Sequence, residues 1–163
     1  MTTKLEAINT MLSCIGQAPL NTLEGTKSYF TIAAEKILED EVKRFQLQGW
    51  DFNSEDNYKL TPDVDNIIKI PQDVIMVKFP TIYKNRFVVR EGKLYDKFRH
   101  TYEIKNPIRV SIVFCFEFDD LPEVAKQYAM MSAANKFVKR EFGSQAAYLF
   151  TQEDLYEGLV VFE

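Results

Sequence analysis

The chain has 163 residues, of which 46% are hydrophobic and 27% charged, and its formal net charge is −4. This length favours one domain, residues 1–163, with its own core. The longest apolar runs fall far short of the roughly 20 residues that span a bilayer. The charge balance excludes a disordered acidic tail and a strongly basic nucleic-acid binder. The N-terminus, MTTKLEAINT, lacks a signal-peptide pattern, so we expect synthesis in a cytosol-like compartment and no membrane partner.

Helical periodicity predicts four helices, two at each end of the chain. Their expected ranges are about 3–16, 27–48, 121–142 and 145–162. Thr3 and Glu6 form a capping box for the first helix. Gly16 then supplies the left-handed residue on which helices end, and Pro19 prevents continuation. The chain is therefore expected to turn at this point.

The third helix is predicted from a proline start and an apolar stripe. Pro122 fits the first helical turn, and the stripe includes Val124 and Phe142. Asp119 and Asp120 come just before it, and their negative charge suits the N-terminus of this helix. This role accounts for both aspartates without a catalytic function for either.

The region between the helices, about 50–118, has strand composition interrupted by prolines. Trp50 lies in an alternating pattern that indicates a strand and a place in the core. Glu91 and Gly92 predict the turn of a hairpin, and residues 108–118 alternate as a strand with one apolar face. The expected fold class is α+β: a small helical bundle formed by the N- and C-terminal helices, with an inserted antiparallel β-sheet.

No catalytic, cofactor-binding or metal-binding residues are predicted. His100 is the only histidine, and the zinc and nucleophile motifs are missing. Cys14 and Cys115 have apolar neighbours and are expected to be buried thiols. We therefore expect a protein that is not an enzyme and needs no cofactor. A small hydrolase is an alternative that no motif supports.

The one unusual charge feature is a basic hairpin at 84–99. It carries six cations against Glu91 and Asp96, a local charge of 6 − 2 = +4. The six are Lys84, Arg86, Arg90, Lys93, Lys97 and Arg99. A solvated hairpin that discourages edge aggregation is one reading, and phosphate contact with interleaved aromatic residues is another. A third is contact with an acidic surface of a neighbouring subunit, for which the second helix offers Glu35, Glu39, Asp40 and Glu41.

The order of these turns and caps resembles the tail tubular protein A family, the head-to-tail adaptors of short-tailed bacteriophages. The matching stretches cover nearly all of the chain, and their ordered set is more specific than any one of them. They are Ile15-Gly16-Gln17-Ala18-Pro19-Leu20, Leu23-Glu24-Gly25, Gly49-Trp50-Asp51-Phe52-Asn53, Leu60-Thr61-Pro62-Asp63, Ile70-Pro71, Gly92-Lys93-Leu94-Tyr95-Asp96, Asp120-Leu121-Pro122-Glu123 and Phe142-Gly143.

The resemblance implies a structural virion protein. Such adaptors form a ring, implied to be a dodecamer, between the portal protein and the tail nozzle protein, around the channel through which DNA leaves. The implied location is the head-to-tail junction of the virion, after synthesis in the bacterial host cytoplasm. The family offers no catalytic residues to carry over. A nucleic-acid-binding module that uses the basic hairpin is the alternative function.

Overall fold

The computed structural model describes residues 1–143 of the chain. The predicted helix at 145–162 lies outside the described residues. The chain divides into two compact units, a helical unit of Met1–Phe45 with the chain from Phe116 onward, and a β unit of Gln46–Cys115. This arrangement confirms the α+β class, with a β region inserted between N- and C-terminal helices. The single-domain expectation stays a prediction.

The described secondary structure comprises three helices and five strands. The helices are α1 (Lys4–Ser13), α2 (Tyr29–Gln46) and α3 (Glu123–Phe142), and the strands are β1 (Ser54–Leu60), β2 (Val74–Lys78), β3 (Phe87–Arg90), β4 (Lys93–Asp96) and β5 (Ile108–Phe114). Within residues 1–143, no helix combines the length and apolarity needed to cross a membrane.

The helical unit confirms the predicted start and end of the first helix. Thr3 and Glu6 form the capping box, and Gly16 takes a φ of 75° beyond the helix end. The side chain of Asn9 then fixes the following segment. It accepts a hydrogen bond from the Leu20 N–H at 2.7 Å and donates one to the Leu20 carbonyl at 2.9 Å. The turn is therefore fixed by a glycine and by an asparagine one helical turn before the end.

The buried face of α3 differs from the predicted stripe. Val124 and Phe142 are 43% and 58% exposed. The fully buried positions are instead mostly alanines, which are Ala125, Ala129, Ala133 and Ala134, together with Phe137. Small side chains let a helix approach its neighbours closely, and their weak hydrophobicity hides them from a periodicity search. The prediction was right about the helix and about the later part of its stripe, which also included the buried Ala134 and Val138, and wrong about the two ends, Val124 and Phe142.

The acidic residues near Pro122 hold the N-terminus of the chain. The Asp119 carboxylate accepts a hydrogen bond from the Lys4 N–H at 2.8 Å, so this residue serves the start of α1 rather than α3 as predicted. The acidic residue in the first turn of α3 is Glu123, which accepts hydrogen bonds from the Thr2 N–H at 3.0 Å and from the Thr2 hydroxyl. These bonds lower the Glu123 pKa to about 2, and the Thr2 hydroxyl is the largest cause.

The β unit contains two antiparallel sheets. One has the strand order β1-β5-β2, and the other is the β3-β4 hairpin. The hairpin confirms its predicted turn, because Glu91 and Gly92 have φ values of 52° and 71°, as a two-residue hairpin turn with φ above zero at both positions requires. The predicted strand at 108–118 ends early, since β5 stops at Phe114 and residues 118–120 form a 3-10 turn.

The segment Gly49–Asn53 is a tight turn and not the predicted strand. Gly49 has a φ of 73°, and a Cβ there would lie 3.1 Å from both Ser54 Oγ and Val113 Cγ2, so only glycine fits. Trp50 is half-buried rather than in the core. A polar side chain organises the turn, because Asn53 Oδ1 accepts a hydrogen bond from the Trp50 N–H at 2.8 Å.

Asn53 also joins two distant parts of the β unit. Its Nδ2 donates to the Gln46 carbonyl at 2.9 Å and to the Phe114 carbonyl at 2.8 Å. The residue is 1% exposed, so these backbone groups have no water to replace a lost partner. One side chain therefore ties the last residue of α2 to the end of β5.

Replacing Asn53 with Ala should destabilise the protein by about 3 kcal/mol, because buried backbone groups lose their partners. For a chain of this size that corresponds to a fall of roughly 10 °C in the thermal unfolding midpoint. Calorimetry of Asn53→Ala beside the exposed control Asn106→Ala measures it. A midpoint within about 2 °C of the unchanged protein would show that the turn does not need this side chain.

Glu123 should make stability depend on acid in a defined window. Its folded pKa of about 2 lies below the ordinary value of 4.5, so the ionised carboxylate stabilises the folded state above 4.5, and this contribution is lost as the pH falls from 4.5 toward 2. The unfolding midpoints of Glu123→Gln and the unchanged protein should differ most at neutral pH and converge near pH 2. The exposed control Glu24→Gln should not show this convergence, and a constant difference for Glu123→Gln would contradict the assignment.

Candidate functional site

The predicted acidic set of α2 already has cationic partners within the helical unit. Glu35 accepts a hydrogen bond from Lys27 at 2.7 Å and lies 4.0 Å from Lys4. Lys4 also pairs with Glu39 at 2.8 Å, and this hydrogen bond is the first cause of its raised pKa. Asp40 pairs with Lys36 at 3.0 Å, one helical turn away. The side chains of Glu39 and Asp40 are nevertheless 54% and 60% exposed, whereas that of Glu35 is only 15% exposed.

The fourth predicted acidic residue of α2, Glu41, is buried and is not presented to a neighbour as expected. Glu41 is 7% exposed. Its carboxylate accepts hydrogen bonds from the Ser132 hydroxyl at 2.7 Å and from the Lys136 ammonium, so α2 and α3 share an ion pair whose carboxylate is buried and whose lysine is partly exposed. No local pattern indicates this pair, because the partners on α3 are more than 90 residues away.

The six predicted cations of the hairpin fall into two groups at opposite ends. The hairpin base, where the strands leave the pair, carries what we call the base cluster, Lys84, Arg86, Lys97 and Arg99. The hairpin turn carries Arg90 and Lys93, which are paired directly across the strands. Three residues of strand separate the two ends, so the Cα atoms of Arg86 and Arg90 lie four residue steps apart, or about 13 Å. The single basic surface predicted from the sequence is therefore two surfaces.

The base cluster is organised by a buried aspartate. Asp96 is 1% exposed, and its carboxylate pairs with the Arg86 guanidinium at 2.6 Å. This pair lowers the pKa of Asp96 and raises that of Arg86. The other carboxylate oxygen accepts hydrogen bonds from the N–H groups of Phe98 at 3.0 Å and Arg99 at 3.2 Å. Residues 97–100 are thereby held in a closed loop, with the Phe98 ring 61% exposed at its surface.

The other members of the base cluster face solvent. Among the described residues, no carboxylate forms an ion pair with Lys84, Lys97 or Arg99. A groove of about 250 Å³ lies beside the cluster and includes Arg86, Arg99 and the apolar Ile104 in its lining. Cations around a partly apolar recess are suited to an acidic partner that also buries a side chain.

The cations at the hairpin turn lie on tyrosine rings. The Arg90 guanidinium is 4.4 Å from the centre of the Tyr95 ring, and the Lys93 ammonium is 5.3 Å from that of Tyr102. The two rings meet edge to face at 4.9 Å. Each cation is attracted to a ring face, which orients it without cancelling its charge.

The residues considered for catalysis do not converge. His100 is exposed on the 97–100 loop, and Asp119 is hydrogen-bonded to the start of α1. Cys14 and Cys115 form no disulfide and are only half-buried, so the predicted burial was too strong. Partial burial raises the Cys14 pKa. Within residues 1–143, no group of three or more metal-ligating side chains forms a candidate metal site.

The chain matches known proteins over nearly its full length. A family model described as tail tubular protein matches residues 5–162. The Tail tubular protein A of Klebsiella phage KP34 is 24% identical over 162 residues, which cover 98% of this chain and 86% of the relative. Because the family match spans both units, the chain belongs to the tail tubular protein family and is a structural component of a bacteriophage tail, where it assembles with other virion proteins.

Proposed function

We propose that this protein is the head-to-tail adaptor of its virion, a dodecameric ring that joins the portal protein to the tail nozzle protein and encloses the DNA exit channel. The observation that carries the proposal is the family match over residues 5–162. In this role the protein is not an enzyme and needs no cofactor. It is made in the host cytoplasm, becomes part of the virion at the head-to-tail junction, and lets DNA pass without sequence-specific binding.

The joints within each unit support a ring. Identical subunits close into a ring through head-to-tail contacts only if each copy has the same shape, because small angular errors accumulate around the circle. In the helical unit, Gly16 and the Asn9–Leu20 hydrogen bonds fix the turn after α1. In the β unit, Asn53 fixes the turn that leads into β1. Both joints use buried or half-buried backbone hydrogen bonds, which give one geometry.

For the contact between subunits, we propose that the base cluster of one copy meets the acidic α2 residues of the next. Glu39 and Asp40 are the exposed members of that acidic set. Their present ion pairs are surface pairs of the kind worth about 0–1 kcal/mol, so exchange for a neighbour's cations costs little. The less exposed Glu35 keeps its lysines and supports the helix.

Native mass spectrometry of the protein, alone and with its cognate portal protein, tests the adaptor proposal directly. We expect a ring that binds the portal, whether it forms alone or only on contact. Binding to the portal would support a position at the head-to-tail junction. A single oligomer mass would show that the ring closes with one fixed number of subunits. A protein that neither oligomerises nor binds the portal would overturn the adaptor assignment, although it would leave family membership intact.

A charge swap tests the proposed contact separately. Reversing Lys97 and Arg99 to Glu should prevent ring formation at low salt, because two like-charged surfaces would meet. Adding Glu39→Lys and Asp40→Lys in the same chain should restore the ring, since the attraction is rebuilt with opposite signs. The readout is the oligomer mass on the cognate portal.

The matched control is the reversal of two exposed lysines of the β unit that do not line this groove, Lys59→Glu with Lys78→Glu, which changes the net charge equally. The control should assemble normally. Normal assembly of the Lys97 and Arg99 double reversal, or failure of the swap to restore it when all variants are folded, would show that subunits meet elsewhere.

A further inference from the structure

The hairpin turn carries a row of cations that its own fold does not neutralise. Arg90 lies directly opposite Lys93 in the β3-β4 pair, and Lys93 lies directly opposite Lys69 in an isolated antiparallel bridge on the other side of β4. Directly opposed residues point to the same face of a sheet. The three side chains therefore stand side by side, and we call them the tip row.

The row is short and regular. Neighbouring strands lie about 4.8 Å apart, so the three cations fall within about 10 Å of one another across the sheet. Within the described residues, the ion pair found for the row is that of Lys69 with Asp63 at 3.9 Å, and the Lys69 side chain is still 73% exposed. The remaining two cations have tyrosine rings, not carboxylates, as neighbours.

This row of opposed cations lowers the stability of the folded protein unless an anion binds to it. Like charges directly opposite each other on neighbouring strands are destabilising, and here two such pairs share one lysine. A protein surface that only needed solubility would alternate the signs of these cross-strand neighbours. Three opposed cations beside two aromatic rings instead form a site for a ligand that carries several negative charges in a line.

We propose that the tip row binds the phosphate backbone of DNA, without reading its sequence. A row of fixed cations matches a chain of regularly spaced phosphates, and each phosphate that meets a cation releases condensed counterions. Tyr95 and Tyr102 lie at the side of the row, where a ring face or hydroxyl can contact a sugar or an unpaired base. In this proposal the three cations meet phosphates and not base edges, so the binding is independent of sequence.

The proposal extends beyond the adaptor role, because it depends on the β unit alone and would hold for a monomer. It also differs from the proposed subunit contact, which uses the base cluster at the other end of the hairpin. A second copy of this chain is a poorer occupant of the tip row, because the proposed subunit contact already uses the exposed acidic residues of α2, Glu39 and Asp40, at the base cluster. The two sites can therefore be tested by different variants of the same protein.

The experiment is fluorescence anisotropy of a short labelled DNA duplex, titrated with the full-length protein at several salt concentrations. The unchanged protein should bind with an affinity that falls linearly with salt on logarithmic axes. Replacing Arg90 and Lys93 with Gln should weaken binding at low salt by about tenfold or more. It should also reduce the salt slope by about 1.8, because each lost phosphate contact removes about 0.9. Lys69→Gln alone should reduce the slope by about 0.9.

Two control variants distinguish binding at the tip row from a general effect of the protein's positive charge. Lys59→Gln with Lys105→Gln removes the same charge elsewhere in the β unit and should leave the slope unchanged. Lys97→Gln with Arg99→Gln removes two of the four cations of the base cluster and should leave most DNA binding intact. The unfolding midpoint of the Arg90 and Lys93 variant at low salt should equal or exceed that of the unchanged protein, because the opposed charges are gone, and this shows that the variant is folded.

The outcomes decide the proposal. A folded tip-row variant that binds DNA as well as the unchanged protein overturns it, as does loss of binding only in the base-cluster variant. Polyglutamate serves as a probe for an acidic protein ligand. If it binds the tip row and a DNA duplex does not displace it, the ligand is an acidic protein and the DNA assignment is wrong. DNA that displaces polyglutamate, with the expected change in salt slope, supports it. If the portal experiment fails while this one succeeds, only the adaptor role is lost.

Discussion

The base cluster of the β unit depends on one buried carboxylate, that of Asp96. Burying a charge is costly unless it is paired and hydrogen-bonded, and here the Arg86 guanidinium and two backbone N–H groups meet that requirement. The loop at 97–100 donates both N–H hydrogen bonds to the carboxylate in one conformation. The buried charge therefore constrains the backbone of this loop. Lys97 and Arg99 are exposed, but the backbone that carries them is fixed. An exposed cluster on a fixed loop loses less conformational entropy on binding than the same residues on a flexible one.

The hairpin turn imposes a second constraint, on register. A two-residue turn at Glu91 and Gly92 sets which residues of β3 and β4 face each other. A slip by one residue would relieve the repulsion between Arg90 and Lys93, but it would also turn Leu94, which is fully buried, to the solvent face. The core therefore keeps the like charges opposed. Their repulsion is available to be relieved by an anion, which makes part of the binding free energy a release of strain already present in the fold.

Local signals in the sequence predicted much of this fold. The capping box, the glycine at the end of α1 and the Glu91-Gly92 turn each act over a few residues, so the pattern alone determined them. The turn that the Asn53 side chain holds was not predicted, because one hydrogen-bond partner of this side chain lies far away in the sequence. Asn53 and Phe114 are 61 residues apart. The same limit applies to the site. Arg90 and Lys93 were found as hairpin cations, but Lys69 joins their row through a bridge that no local pattern indicates.

The charges of this acidic chain are divided unevenly between its two units. In the described helical unit the α2 carboxylates are paired with lysines, whereas the β unit keeps several exposed cations without carboxylate partners. Net charge alone, at −4, would have argued against any contact with DNA. Salt screens exposed charges over about 8 Å at physiological ionic strength, which is shorter than the roughly 13 Å between the ends of the hairpin. The base cluster and the tip row are thus just far enough apart to act independently. A neighbour bound at the base would leave the field at the tip largely unchanged, so one short hairpin can hold a subunit and meet DNA at once.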